Sequence, residues 1–175
     1  MLISEPYREL NRELHSRNPR YGTSGQHWAP IVARIANLHH VETILDYGCG
    51  KGTLKEQLAG KTPALVLEYD PAVPGKDTPP LPADFVVCGD VLEHIEPDCL
   101  GDVLDDIDRC ANRLCMLVIA TRPADKHLID GRNAHLIVEP LEWWKPKLKA
   151  RWKALLWDSE SIAEQFTFIG KPKER

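Results

Sequence analysis

At 175 residues the chain suits a single domain, which at that length buries roughly two-thirds of the surface its unfolded form exposes, and a second full domain is not expected. The 22 Lys and Arg against 26 Asp and Glu leave a formal charge of −4, so no global basic field advertises a nucleic-acid partner, although a local basic face would suffice for one. Five cysteines without a C-x-x-C pair read as reduced thiols, no apolar run reaches the ~18 residues of a membrane-spanning helix, and the N-terminus has no signal-peptide core; a cytoplasmic protein without membrane contact is expected.

From the N-terminus, Tyr7, Leu10 and Leu14 recur at helical spacing within Glu5 to His15, a short amphipathic helix or a partly ordered arm. The turn formers of Asn18 to Gly25 separate it from Trp28, Ile31, Val32, Ile35 and Leu38, a helical stripe with Pro30 in its first turn. Residues 1–25 are thus expected to form an arm or cap, and residues 26–175 the main domain. Ile44 and Leu45 close an apolar run suited to a buried parallel strand, and Leu45 to Gly52, LDYGCGKG, follows as a turn whose three glycines let a ligand approach the backbone. Thr53 and Glu56 have capping-box spacing, which predicts a helix starting directly after the glycines with Leu54 and Leu58 turned inward and Gly60 near its end. A turn between strand and helix is where open α/β sheets bind ligands.

Ala64 to Tyr69 is a second buried strand ending in Asp70-Pro71. Asp70, about twenty residues beyond the turn, is placed to accept hydrogen bonds from a ribose hydroxyl pair, with an ordinary turn residue as the alternative. The prolines and Gly75 between Pro71 and Pro82 rule out a regular helix there. Asp84 to Gly89 is the next strand; after it Leu100, Val103, Leu104, Ile107 and Ala111 mark a helix with Asp98 as N-cap. Leu114 to Ala120 is uniformly apolar, as a central parallel strand covered on both faces should be. Trp143 and Trp144 suggest a short helix, whereas the period-two alternation of Lys145, Lys147, Lys149, Arg151 and Lys153 predicts a strand entered near Lys149, and Gln165 to Gly170 the last strand. The lysine and tryptophan pattern suits the solvated side of an edge strand or, alternatively, a stacking surface for nucleic acid.

The spacing Asp46-x-Gly48-x-Gly50-x-Gly52 lacks the third glycine position of the dinucleotide fingerprint and the Lys-Ser/Thr of a phosphate loop. It resembles motif I of class I S-adenosylmethionine (SAM) methyltransferases, and with LEYDPA and DFVVCGDVLEHI in register the resemblance spans residues 28 to 170. NPRYGTSGQHWAP adds a similarity to small stand-alone members of the kind bacteriophages encode. The resemblance implies a doubly wound, mostly parallel α/β sheet of order 3-2-1-4-5-7-6 with the third strand short or absent. It implies SAM as cofactor, with Asp46, Gly48 and Gly50 along the methionine portion and Asp70 on the ribose. Gly89 and Asp90 would sit by the adenosine and the methionine amino group, with Tyr21 and Gly22 closing the pocket. The implied activity is methyl transfer to an unidentified acceptor: a small molecule, a nucleotide or a terminal group of RNA or DNA. A catalytically silent SAM- or nucleotide-binding module acting through a partner is the alternative.

His94 and His135 are candidates for a general base or for positioning the acceptor. Asp90-x-x-Glu93-His94 with the later His135 is also similar to the Glu-x-x-Glu-His plus distant His metal set of methyltransferases that modify the terminal 2′-hydroxyl of small RNAs, with Asp in place of the first Glu. On that likeness Glu93, His94 and His135 would take Mg²⁺ or Mn²⁺; the plainer alternative is that Glu93 and His94 cap the following segment. No [DNS]-P-P-[YFW] motif and no Pro-Cys pair follow the fourth strand, which disfavours methylation of DNA bases by those routes. Cys49 reads as a small turn residue rather than a nucleophile.

Overall fold

The computed structural model describes residues 1–160 and 164–173. Among them one sheet runs in the order β2-β1-β3-β4-β6-β5, formed by β1 (Thr43–Tyr47), β2 (Leu65–Tyr69), β3 (Ala83–Gly89), β4 (Ala111–Ala120), β5 (Trp152–Glu160) and β6 (Gln165–Pro172). β1 to β4 pair in parallel, and β6 is antiparallel to both β4 and β5. This is the expected doubly wound order with its third strand missing: residues 71–82 form neither helix nor strand, and β2 is left as the sheet edge with Leu65 exposed.

Alternation along the central strands divides the core in two. Val86, Cys88, Cys115, Leu117 and Ile119 face α4 (Leu100–Cys110) and α5 (Leu141–Arg151), while Phe85, Val87, Leu114, Met116 and Val118 face α2 (Gly25–Leu38) and α3 (Thr53–Leu58). The unbroken apolar run of β4 follows directly, because both of its faces are covered. Trp144, Trp152, Phe166 and Phe168 close the far end of the first layer, each contributing on the order of 2–3 kcal/mol of apolar burial. All five cysteines are buried and free. No described helix is long and apolar enough to cross a membrane.

Several local expectations need correction. α2 begins at Gly25, so Pro30 lies inside the helix rather than in its first turn. The earlier start is secured from outside: Thr53 Oγ1 accepts from the Gln26 amide at 3.2 Å and donates to the Thr23 carbonyl at 3.0 Å. That hydroxyl is therefore not available for a capping box, and α3 starts instead from Gly52 in left-handed backbone (φ 81°) with no side-chain cap. Asp98 does not cap α4 either, because a single 3₁₀ turn, Pro97–Cys99, leads into the helix with Cys99 at the cap position. Ala111, counted in that helix by its spacing, is its C-cap and opens β4.

The lysine alternation misleads most. Lys145 to Arg151 belongs to α5, and β5 begins only at Trp152. Burial of Trp144 and Leu148, four residues apart on one helical face, outweighs the period-two charge pattern. Trp144 and Trp152 are fully buried, and the Lys147 ammonium lies 3.4 Å from the centre of the Trp143 ring, so this pattern presents no open row of aromatics.

α1 (Glu5–Arg17) joins neither helical layer and lies across the carboxyl edge of the sheet. Ser4 caps it and also binds the Glu96 carboxylate through its hydroxyl (2.7 Å) and amide (2.8 Å), while the Tyr7 hydroxyl donates to the His94 carbonyl at 2.5 Å. At its other end the Lys51 ammonium donates to the His15 carbonyl at 2.8 Å. The helix thus ties the segment after β3 to the segment after β1.

Candidate active site

Beneath α1, the carboxyl ends of β1, β2 and β3 open into a cavity of about 570 Å³, a size suited to a small-molecule ligand. All eight residues expected to bind the cofactor line it: Tyr21, Gly22, Asp46, Gly48, Gly50, Asp70, Gly89 and Asp90. Glu93, His94 and His135 line it as well.

One wall is made mostly of backbone. Gly48 and Gly50 adopt left-handed conformations (φ 82° and 51°), and a Cβ on Gly50 would stand 2.6 Å from the Gly22 carbonyl oxygen. That carbonyl accepts from the Lys51 amide at 2.8 Å, which locks the loop after α1 onto the turn. Asp70 holds the turn from β2, its Oδ2 accepting from the Gly50 amide at 3.0 Å and its Oδ1 from the Ala72 amide at 2.9 Å. An ionised carboxylate has about four acceptor sites, so two remain for a ligand.

Asp46, at the end of β1, is 6% exposed and has no hydrogen-bond partner among the described residues. Burial, reinforced by the neighbouring Glu68, pushes its carboxyl up to about 7. Burial would raise Glu68 too, but Lys76 at 2.8 Å and Lys55 at 3.0 Å outweigh it and hold that carboxyl below its ordinary value. Burial raises the Cys49 thiol, as expected of a turn residue with no activating partner.

The opposite wall is made of side chains. Asp90 follows Gly89 in left-handed backbone (φ 57°), rare for a residue with a side chain, and its Oδ2 accepts from the Trp28 indole at 2.9 Å. A 3₁₀ turn over Leu92–His94 then buries Glu93 completely, with Oε1 accepting from the Ala120 amide at 3.2 Å. Burial, then the charge of Asp90, raises the Glu93 carboxyl to about 8. His94 Nδ1 lies 2.7 Å from the Ala134 carbonyl and His135 Nδ1 2.6 Å from the Arg122 carbonyl, with the two rings perpendicular and 4.7 Å apart. Burial, with His135 adding to it, drops His94 to about 3, and burial likewise lowers His135, so both imidazoles are neutral at physiological pH. Tyr21 bridges the walls, edge-on to His15 at 4.6 Å and to His94 at 5.8 Å.

Three site residues escaped sequence reasoning. Trp28 has the spacing of the apolar stripe of α2, but its half-buried indole N–H needs an acceptor, and the nearby acidic strand ends supply one. His15, on α1, places Nε2 3.9 Å from Asp70 Oδ2, and Lys76 donates to the Gly50 carbonyl at 3.3 Å. Nothing in the local sequence marks either of them, since both reach the site only through chain reversal.

A family model described as a methyltransferase domain matches residues 17–167. Among solved structures, the DhpI complex with S-adenosylhomocysteine (SAH) superposes with a TM-score of 0.67 at 17% identity, covering 99% of this chain and 100% of that one. The 1,6-didemethyltoxoflavin-N1-methyltransferase of Burkholderia thailandensis, with bound 1,6-didemethyltoxoflavin and SAH, gives 0.66 at 14% identity over 99% and 92%. The N-methyltransferase NodS of Bradyrhizobium japonicum WM9, in complex with SAH, gives 0.60 at 16% over 98% and 100%. Comparison with curated proteins finds none that matches. The shared sheet order, the cavity above the glycine turn and a family match over residues 17–167 lead to one conclusion: the chain belongs to the methyltransferase domain family.

Proposed function

We propose that the protein transfers the methyl group of SAM to an acceptor held at the wall formed by His94 and His135. The observation that carries this reading is the convergence of Asp46, Asp70 and the Gly48–Gly50 backbone on one wall of the cavity of a methyltransferase-family chain. SAM is cationic at its sulfonium and at its ammonium, and the unpartnered Asp46 carboxylate suits the ammonium end. The free acceptor sites of Asp70 suit the ribose hydroxyls, and Gly89 with Asp90 flanks the remaining adenosine and amino contacts. Residues 1–25 act as the cap, Tyr21 and Gly22 closing over the bound donor. The likeness of residues 18–30 to small stand-alone members falls on the segment that meets the glycine turn, and fits that capping role.

The reaction is an in-line displacement: an acceptor lone pair attacks the methyl carbon, the C–S bond breaks, neutral SAH leaves, and an acceptor that began as a hydroxyl or amine gives its proton to water. Because the sulfonium already activates the carbon, positioning and exclusion of water supply most of the acceleration. A neutral imidazole does not repel the sulfonium, and one held near 3 is a weak proton acceptor, so His94 orients the acceptor rather than deprotonating it.

The test is ligand-dependent melting. SAM or SAH at 100 times its Kd should stabilise the protein by about 2.7 kcal/mol, a readable upward shift. A shift with NAD or ATP but with neither sulfur ligand would overturn the reading.

A further inference from the structure

The side-chain wall has a property that acceptor positioning alone does not require. Glu93 is fully buried, yet its Oε2 has no hydrogen-bond partner, although Oε1 is bound to the Ala120 amide. A buried carboxyl oxygen left without a hydrogen-bond partner is costly whether it carries a proton or a charge, and such an orphan calls for a ligand or an ion. Both facing histidines are already committed at one nitrogen. A backbone carbonyl can only accept, so His94 and His135 each carry the ring proton on Nδ1, donated to Ala134 and Arg122. Nε2 of each ring is left with its lone pair. Imidazoles that ligate metals are fixed in this way, by donating the other ring N–H to a carbonyl or carboxylate.

The donor atoms of Glu93, His94 and His135 lie within 4.8 Å of one another, the one such group among the described residues. Opposed ligands on an ion with bonds of ~2.1 Å stand ~4.2 Å apart, so small side-chain rotations close the set. The framework is braced: the Ile137 amide donates to the Glu93 carbonyl at 3.0 Å, and Asn133 Oδ1 accepts from the Ala124 and His135 amides at 2.9 Å each. Asp90 Oδ2 accepts from the Trp28 indole, and Asp90 is not among the three residues whose donor atoms converge.

We propose that Glu93, His94 and His135 form a divalent-metal site on the wall opposite the glycine turn, with its remaining coordination positions open to the cavity. Two imidazoles with one carboxylate favour a first-row transition ion such as Mn²⁺ over Mg²⁺, which prefers all-oxygen shells. For the use of the ion, though not for its binding, the inference rests on the methyl-transfer reading. An acceptor hydroxyl bound at an open position would lose its proton to water more readily, and the resulting oxygen lone pair would take the methyl group as the C–S bond breaks.

The full chain, stripped with a chelator, is titrated with Mn²⁺ alone while free Mn²⁺ is read by electron paramagnetic resonance. One saturable ion per chain is expected, weakened at least tenfold by His135→Ala and by Glu93→Gln, each variant checked for its cooperative melt. No saturable binding in the wild type, or a site that His135→Ala leaves intact, overturns the proposal. His135 is only partly buried, so its variant decides the matter even if Glu93→Gln fails to fold. Mn²⁺ binding without any SAH-dependent melting shift would remove the methyl-transfer reading and keep the metal site; the reverse pair of results would do the opposite.

Discussion

The two walls of the cavity are built from different materials. The glycine-turn wall consists of main chain held in left-handed conformations, clamped by Asp70 and by the Gly22 carbonyl, and most of its parts come from one strand end and the next. The opposite wall gathers side chains from residue 21 to residue 135, and what fixes it is a set of hydrogen bonds to loop carbonyls. The difference suits the proposed chemistry: a donor of constant structure needs a constant backbone cradle, whereas an acceptor wall made of side chains can change without disturbing the fold.

The sharpest way to break this contrast is Gly50→Ala. The new Cβ would sit in left-handed backbone and 2.6 Å from a main-chain oxygen that cannot move without releasing Lys51, so destabilisation of about 3 kcal/mol and loss of any SAH-dependent melting shift are expected. Urea denaturation with and without SAH would measure both. If Gly50→Ala binds SAH as well as the wild type, the main-chain cradle is not what holds the donor.

Asp46→Asn comes next and carries a pH signature. A carboxyl at about 7 in the folded chain against roughly 3.9 unfolded binds its proton more tightly in the fold, so the stability it confers at low pH is lost as pH rises from about 4 through 7. The Asn variant avoids that loss. It should be more stable than the wild type at pH 8, by on the order of 2 kcal/mol, and lose the advantage by pH 4, while binding SAM more weakly at pH 8. A stability difference that does not vary with pH would show that Asp46 does not titrate in this window.

The smallest effect belongs to the opposite wall. Tyr7→Phe removes the donor to the His94 carbonyl and should cost about 1 kcal/mol in urea denaturation, with SAH affinity unchanged. A loss of SAH affinity as large as that of Asp46→Asn would mean that α1 supports the donor directly, and that the two walls are coupled.

The parts legible in the sequence are those whose signals are local. Strand ends at Asp46, Asp70 and Gly89 follow from short apolar runs interrupted by an acidic residue or a glycine, and the missing third strand follows from the prolines between Pro71 and Pro82. The errors arose where a local pattern had a tertiary competitor. Thr53 had the right spacing for a capping box, but α2 lies close enough to take its hydroxyl. The lysines from Lys145 onward had the period of a strand, but Trp144 and Leu148 gained more by burial on one helical face.

The sequence by itself determined the glycine turn and the acidic strand ends around it, because a turn needing left-handed backbone can be written in consecutive residues. The Asp90-x-x-Glu93-His94 spacing with His135 marked residues of the other wall by likeness alone, and only the tertiary structure brought them together. That Glu93 is buried with one oxygen unpartnered, that two carbonyls fix the tautomers of His94 and His135, and that α1 ties both rims together through Tyr7 and His15 all depend on groups tens of residues apart. No pattern along the chain encodes such distances; they exist only once the sheet has set its strands side by side.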